Sequence, residues 1–180
     1  MEHTIIFLVE AAKALRVPVV VTEQVPSKLG GTSQRILDAA GITSSQGEVH
    51  VPPDVLLESK TKFSMATPAV GRWLKEHNVS RAVLVGAEAH ICVEQTTRDL
   101  AANGISVDVV ADGVSSIRRF ERSTALARMA AQAAGGITVT SAEAVAFDWL
   151  GDATHPAFKQ VQALVKDYAK KANSHALCSL

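Results

Sequence analysis

Three stretches of the chain are apolar almost without interruption: 18–22 (PVVVT), 82–85 (AVLV) and 107–111 (VDVVA). Each is short, β-branched and nearly free of charge, the pattern of a strand buried on both faces of a parallel sheet. A weaker fourth lies at 137–140. Between them, apolar positions recur at helical spacing. Residues 67–77 open with Thr67-Pro68, a capping residue followed by proline at the first helical position. Residues 92–102 place Val93, Thr97, Leu100 and Ala101 on one face, 119–134 are alanine-rich, and 141–150 begin at Ser141, another capping residue. A last helix is expected over 156–170, fraying beyond it. Strand and helix in alternation predict an α/β, Rossmann-like three-layer fold with a mostly parallel sheet and right-handed crossovers.

The first sixteen residues admit two readings. As a strand, 4–10 ends in Glu10 and leaves only 11–17 for a crossover, which takes about ten to twelve residues. As a helix, Ile5, Leu8, Val9, Ala12 and Leu15 share one face, with Glu2, Glu10, Lys13 and Arg16 elsewhere. The helix is the expectation, so the chain opens on a helix where an α/β domain ordinarily opens on a strand. Residues 26–53 read as a long loop bearing Gly and Ser, lying over the C-terminal edge of the sheet, where such folds bind ligands. The expected organisation is one domain over 1–166 and a tail over 167–180.

Composition narrows the classes. Lys plus Arg and Asp plus Glu each number 18, so the net charge is zero, and aromatics are only 4%. Neither fits a nucleic-acid surface or an anionic membrane surface. No stretch reaches the roughly 18 apolar residues of a membrane helix. Two cysteines, Cys92 and Cys178, are too few for a disulfide scaffold and fit a reducing compartment. The start, Met1-Glu2-His3-Thr4, lacks a basic signal-peptide region, and Cys178-Ser179-Leu180 only faintly echoes a peroxisomal ending. The expected address is cytoplasmic.

The stretch 83–97, VLVGAEAHICVEQTT, carries the most chemistry. A buried strand runs into Gly86, a turn follows, and Cys92 stands where a helix is expected to begin. A helix N-terminus offers free N–H groups and the positive end of the dipole. These favour a nucleophilic thiolate and can stabilise an oxyanion. The alternative is that Cys92 is a small buried hydrophobe. Lys60, in 57–65, a segment expected to approach a helix start, is either an inward charge that stabilises a thiolate or a solvated lysine. His90 is a base or a residue lining a pocket or capping a helix. No histidine is spaced for metal ligation, so no metal is expected. Gly30-Gly31 is a turn rather than a phosphate loop, and the absence of Gly-x-Ser-x-Gly disfavours a serine hydrolase.

A resemblance adds to this. Its pieces are Val17-Pro18-Val19 with Thr22-Glu23-Gln24 and Pro26, then Lys60-Thr61-Lys62-Phe63-Ser64-Met65, then Gly86-Ala87-Glu88-Ala89-His90-Ile91-Cys92 with Thr96-Thr97. Asp112-Gly113-Val114-Ser115-Ser116, Thr140-Ser141-Ala142-Glu143 and Gly151-Asp152-Ala153-Thr154-His155-Pro156-Ala157-Phe158-Lys159 follow in order. With these the chain resembles the isochorismatase-like (cysteine hydrolase) superfamily over about 10–166, and within it the branch called isochorismatase domain-containing protein 2.

The resemblance implies an Asp, Lys, Cys catalytic triad. Cys92 is then the nucleophile toward an amide or related carbon, and Lys60 holds charge beside it. It also implies a non-proline cis peptide between Ala87 and Glu88, with backbone N–H groups there and at Ile91 and Cys92 aimed at an oxyanion. Glu23, Gln24, Phe63 and His90 are the pocket candidates. The family's acid stands on a first, central strand that this sequence lacks, because 1–16 aligns with the helix after it. Glu10 takes its place only if 4–10 is a strand; Glu23 and Asp112, near strand ends, are the other substitutes. The expectation is a domain shortened at its N-terminal side, or a form whose catalysis is impaired.

The metal-binding nicotinamidases of the superfamily carry Asp and His where this chain reads Thr22-Glu23-Gln24-Val25-Pro26, so nicotinamide is disfavoured as a substrate; isochorismate is disfavoured because the branch has no clear link to siderophore synthesis. The implied function is cofactor-free hydrolysis of a small amide, imide or vinyl-ether compound. The alternative is a non-catalytic binding or interaction protein on the same scaffold. A ribonuclease label with mitochondrial association, attached to relatives in the branch, sits poorly with zero net charge. The expected partners are a small-molecule substrate or ligand and further copies of the chain in a homo-oligomer, to which the apolar N-terminal helix points although the sequence does not show the interface.

Overall fold

A computed structural model describes residues 1–45 and 47–176, with side chains as far as 171. Helix α1 (Glu2–Leu15) leads to strand β1 (Val19–Gln24). Two short helices, α2 (Pro26–Leu29) and α3 (Gln34–Ala40), and a hairpin of β2 (Thr43–Ser45) and β3 (Glu48–His50) precede β4 (Val55–Lys60). Then come α4 (Pro68–Glu76), β5 (Arg81–Ala87), a π-helical turn (Ala89–Val93), α5 (Glu94–Ala102), β6 (Ser106–Ser115) and α6 (Arg119–Ala130). The chain closes with β7 (Ile137–Thr140), α7 (Ala142–Leu150) and α8 (Phe158–Ala176).

The parallel strands fall into two ladders, β1 with β4 and β5 with β6 and β7. Helices cover both faces. On one face Val70 and Leu74 of α4, Leu100 of α5 and Met129 of α6 bury Leu84, Val107 and Val109, with Val20 and Leu56 packed on the same cluster. On the other face α1 straddles both ladders. Its Ile5 and Val9 join Ala40, Val55, Val19 and Val21. Its Phe7 and Leu8 join Val110 and the helices α7 and α8. Val85 packs against both of these clusters.

Crossover handedness orders the strands. Steps from β4 to β5, β5 to β6 and β6 to β7 pass through α4, α5 and α6 on one face, so right-handed connections carry all three in the same lateral direction. The step from β1 to β4 passes through α3 on the opposite face and runs the other way. The layer therefore reads β4, β1, β5, β6, β7, and the direction of winding reverses between β1 and β5. Such a reversal opens a crevice at the C-terminal ends of the strands.

Local chemistry explains most of the elements. Thr67 caps α4, its hydroxyl accepting the Val70 N–H at 3.2 Å. Ser141 caps α7 through the Ala144 N–H at 3.4 Å. The four expected strands are present: β1 begins one residue later than expected, the other ends of β1, β5 and β6 extend by one to four residues, and β7 coincides. Three readings are corrected. Residues 26–53 are not one loop but two helices and a hairpin, because Ile36, Leu37 and Ala40 find an apolar surface on α1. Residues 57–65 do not approach a helix directly: 55–60 is strand β4, paired residue by residue with β1 from Val19↔Val55 to Gln24↔Lys60. The apolar face of α1 is buried within the chain and is not free to form an interface between copies. The last helix continues to Ala176, and Tyr168 inside it stacks on Phe7 with ring centroids 4.6 Å apart. Gly113 is required by close approach, since a Cβ there would sit 2.8 Å from the Val85 side chain.

Candidate active site

The C-terminal ends of β1, β4 and β5 bring Gln24, Lys60 and the Ala87–Cys92 segment to one edge of the layer. Lys60 is only 8% exposed. Its ammonium donates to Gln24 Oε1 at 2.7 Å, to the Phe63 carbonyl at 2.8 Å and to the Lys62 carbonyl at 3.0 Å. All three acceptors are neutral. Burial lowers the Lys60 pKa below the ordinary lysine value, opposed by attraction to Cys92 and to Glu58. Gln24 is clamped in turn, its amide donating to the Thr61 carbonyl at 2.7 Å. Just after it, Val25 holds φ 42°, a left-handed conformation that costs a β-branched residue on the order of 1–3 kcal/mol. Such strain persists where the surrounding structure dictates it. Here the Val25 N–H is held by the Lys60 carbonyl at 3.0 Å.

Cys92 is half-buried and lies within the π-helical turn, not at the start of the following α-helix. The expected placement is therefore corrected by one short element. A π turn is a local widening that recurs at functional sites. The peptide bond between Ala87 and Glu88 is cis. The Ile91 N–H, one of the expected oxyanion donors, is bonded to the Glu88 carbonyl at 3.1 Å. Two residues to which the sequence reading gave no role hold the turn. Thr96 donates to the Cys92 carbonyl at 2.6 Å and accepts the Met65 N–H at 2.9 Å, tying the segment after Lys60 to the cysteine. Glu94 is buried to 1% exposure, and Arg128 of α6 lies 2.9 Å from it. A buried carboxylate two residues after a candidate nucleophile is visible in sequence only as an ordinary helical glutamate.

The remaining candidates sort themselves by their partners. His90 Nδ1 is 3.0 Å from Ser116 Oγ and 3.7 Å from Glu88 Oε2. Glu88 Oε2 accepts the Ile117 N–H at 2.8 Å. The Phe63 side chain is exposed, and its carbonyl rather than its ring serves Lys60. Glu23 does not turn to Lys60: it accepts the Thr32 N–H at 2.7 Å. Asp112 accepts the Ala142 N–H at 2.9 Å and the Tyr168 hydroxyl, so it is a structural tie between β6, α7 and α8. Glu10 lies exposed on a helix. None of the three proposed substitutes faces Lys60, and among the described residues no carboxylate forms an ion pair with it. An open cleft of about 450 Å³ flanks this edge, lined by Val25, Glu58, Lys60, Thr61 and Thr67; Cys92 does not line it. Among the described residues no three His, Cys, Asp or Glu side chains gather as a metal site, and no helix is long and apolar enough to cross a membrane. Cys178 lies outside the described residues.

The fold and this edge define a doubly wound α/β domain with a cysteine and a buried lysine at its topological switch point. The Isochorismatase domain matches residues 3–144, and the chain belongs to the isochorismatase family. It is 39% identical over 166 residues to isochorismatase domain-containing protein 1 of Salmo salar, a match covering 92% of this chain and 53% of that protein. It is 36% identical over 163 residues to isochorismatase domain-containing protein 2 of Xenopus laevis, covering 90% and 71%. The chain thus spans about half the length of the salmon relative. The solved structure of the MAR1 ribonuclease from Caenorhabditis elegans superposes with a TM-score of 0.78 at 36% identity, covering 91% of this chain and 77% of that one.

Proposed function

We propose that this isochorismatase-like hydrolase domain is the scaffold of a cofactor-free cysteine hydrolase for a small amide, imide or vinyl-ether compound. Cys92 is the nucleophile and Lys60 its charge partner. The observation that carries this reading is the buried Lys60 ammonium, held by three neutral oxygens and electrostatically coupled to Cys92. For an amide, the Cys92 thiolate adds to the carbonyl carbon, forming a C–S bond and a tetrahedral oxyanion. Collapse breaks the C–N bond. A lysine whose pKa is lowered by burial is a stronger acid than an exposed one, so Lys60 supplies the proton to the departing nitrogen. Water then cleaves the thioester, and its spare proton restores Lys60.

The reading predicts that Cys92→Ala abolishes turnover of a panel of small amides. Lys60→Met, which keeps the length and apolar stem but removes the proton, lowers turnover by about 10²-fold or more. Equal turnover by Cys92→Ala and the parent chain sinks the reading.

A second reading has its own observation. With no carboxylate paired to Lys60 among the described residues, the site has no placed acceptor for the thiol proton, and the domain acts as a binding protein. Ligand-dependent stabilisation without turnover favours that alternative. The ribonuclease description of the worm relative is not carried over, because zero net charge gives no net electrostatic attraction toward phosphates. Retention on immobilised RNA that falls steeply with salt would revive it. The domain is proposed to work in the cytoplasm, as a homo-oligomer.

A further inference from the structure

Lys60 ends β4 and Cys92 follows β5, so the two groups of the proposed reaction reach the edge on separate strands, in separate ladders. Something must set one against the other. The Lys60 ammonium is held by the carbonyls of Lys62 and Phe63 as well as by Gln24. Where it stands therefore depends on the loop 61–66, which is neither helix nor strand.

This loop is fastened to one side of α5. The Thr96 hydroxyl accepts the Met65 N–H at 2.9 Å. Asp99, one turn along on the same side, takes the Lys62 ammonium at 2.9 Å and a hydrogen bond from Ser64. Lys62 first and Ser64 second hold the Asp99 pKa below the ordinary carboxylate value. The two ties differ in weight. The Lys62 side chain is 58% exposed and that of Asp99 41%, and ion pairs in water contribute little. Thr96 is 1% exposed, so losing its hydroxyl leaves buried backbone groups unpaired.

Thr96 is bound to the turn of the nucleophile as well. It donates to the Cys92 carbonyl at 2.6 Å, and the neighbouring Thr97 donates to the Val93 carbonyl at 2.9 Å. Bonds of this kind to the fourth residue before bend a helix, and here they span the junction where the π turn passes into α5. One hydroxyl thus gives its proton to the backbone of the cysteine and accepts from the loop of the lysine. A serine offers the same two bonds, and a valine of the same shape offers neither.

We propose that Thr96 is a positioning residue for the reaction, with Asp99 a weaker one: from one side of α5 they hold the loop 61–66, and with it the Lys60 ammonium, in register with the Cys92 turn. The bonds of Thr96 run to backbone groups, so it acts through the loop that carries the Lys62 and Phe63 carbonyls and through the Cys92 carbonyl. The proposal rests on Lys60 as the charge partner of Cys92 and names the residues that keep the two together.

The test is the rate of iodoacetamide alkylation of Cys92 at neutral pH, with a denaturant melt, in the full chain and in Lys60→Met, Thr96→Val, Thr96→Ser, Asp99→Ala and Ser141→Ala. Ser141→Ala removes a helix cap at the β7 end of the layer and serves as a control for lost stability. Thr96→Val is expected to slow Cys92 by about tenfold, as Lys60→Met does, and Asp99→Ala by about two- to threefold. Thr96→Ser recovers most of the parent rate, and Ser141→Ala keeps all of it while melting earlier. A merely structural threonine gives the opposite sign, because a loosened turn exposes the thiol and speeds alkylation. A Thr96→Val rate at or above that of the parent, with Lys60→Met still slow, overturns the proposal and leaves the pairing of Lys60 with Cys92 standing. Slowing that Thr96→Ser does not relieve also overturns it. Equal rates in the parent and Lys60→Met overturn the pairing and the proposal together. Where Thr96→Val fails to fold, an unchanged rate in the exposed variant Asp99→Ala overturns the proposal.

Discussion

At the scale of single residues, the account turns on side chains whose partners decide their chemistry. Tyr168 is the chain's one tyrosine. Burial and then its hydrogen bond to Asp112 raise its pKa to about 12. Since the folded phenol holds its proton longer than the unfolded one, this contribution to stability is complete below about pH 10 and fades as pH rises toward 12. Ultraviolet titration reads this group alone. A phenolate midpoint near 12 in the folded chain, falling to about 10 in denaturant, is expected; a midpoint of 10 in both states would contradict the buried tie to Asp112. Lys60 and Cys92 were singled out in the sequence as candidates, the first through its motif and the second through its place after a strand; the structure buries Lys60 and sets Cys92 in the π turn. The supports of Lys60 were only half legible. Gln24 was singled out, but the backbone carbonyls of Lys62 and Phe63 were not, because a carbonyl that turns inward leaves no mark on residue type.

At the scale of elements, capping and packing make separable predictions. Thr67 both caps α4 and donates to Glu58 Oε2 at 2.7 Å. Thr67→Ala is therefore expected to destabilise the chain by about 1–2 kcal/mol in denaturant melts, at the upper end of a helix-cap loss. Met129 is fully buried in the cluster beneath β5, β6 and β7, and Met129→Ala is expected to cost about 2–5 kcal/mol with an unchanged denaturant slope. Helix starts were legible because Thr67 and Ser141 carry their own signal. Strand β4 was not, because its polar end, Glu58-Ser59-Lys60, breaks the apolar run; its identity comes from pairing with β1. The π turn was also hidden, since nothing in residue type separates it from the first turn of α5.

At the scale of the whole molecule, winding reversal between β1 and β5 places Gln24, Lys60 and the Ala87–Cys92 segment at the same C-terminal edge of the layer. The order of strands follows from crossover handedness once the helices are assigned to faces. The alternation of elements forecast that architecture; the resemblance implied a missing central strand with two unpaired neighbours, and the hydrogen bonds divide the parallel strands into two ladders. Ile117 is 85% exposed and Phe120 75%, both at the C-terminal edge beside the Glu88 contact. Apolar groups so placed favour burial against another copy, and light scattering is expected to give a multiple of the 19.0 kDa chain mass. Ile117→Lys with Phe120→Lys should reduce it to the single chain, and a monomeric parent would refute the oligomer. The central claim is that Lys60 activates Cys92. Its most direct test is the rate of iodoacetamide alkylation at each cysteine, read by mass spectrometry of the intact and digested chain at neutral pH. The account predicts that Cys92 reacts at least about tenfold faster than Cys178 and loses that advantage in Lys60→Met. Equal rates at the two cysteines, or an advantage that Lys60→Met leaves untouched, would contradict it.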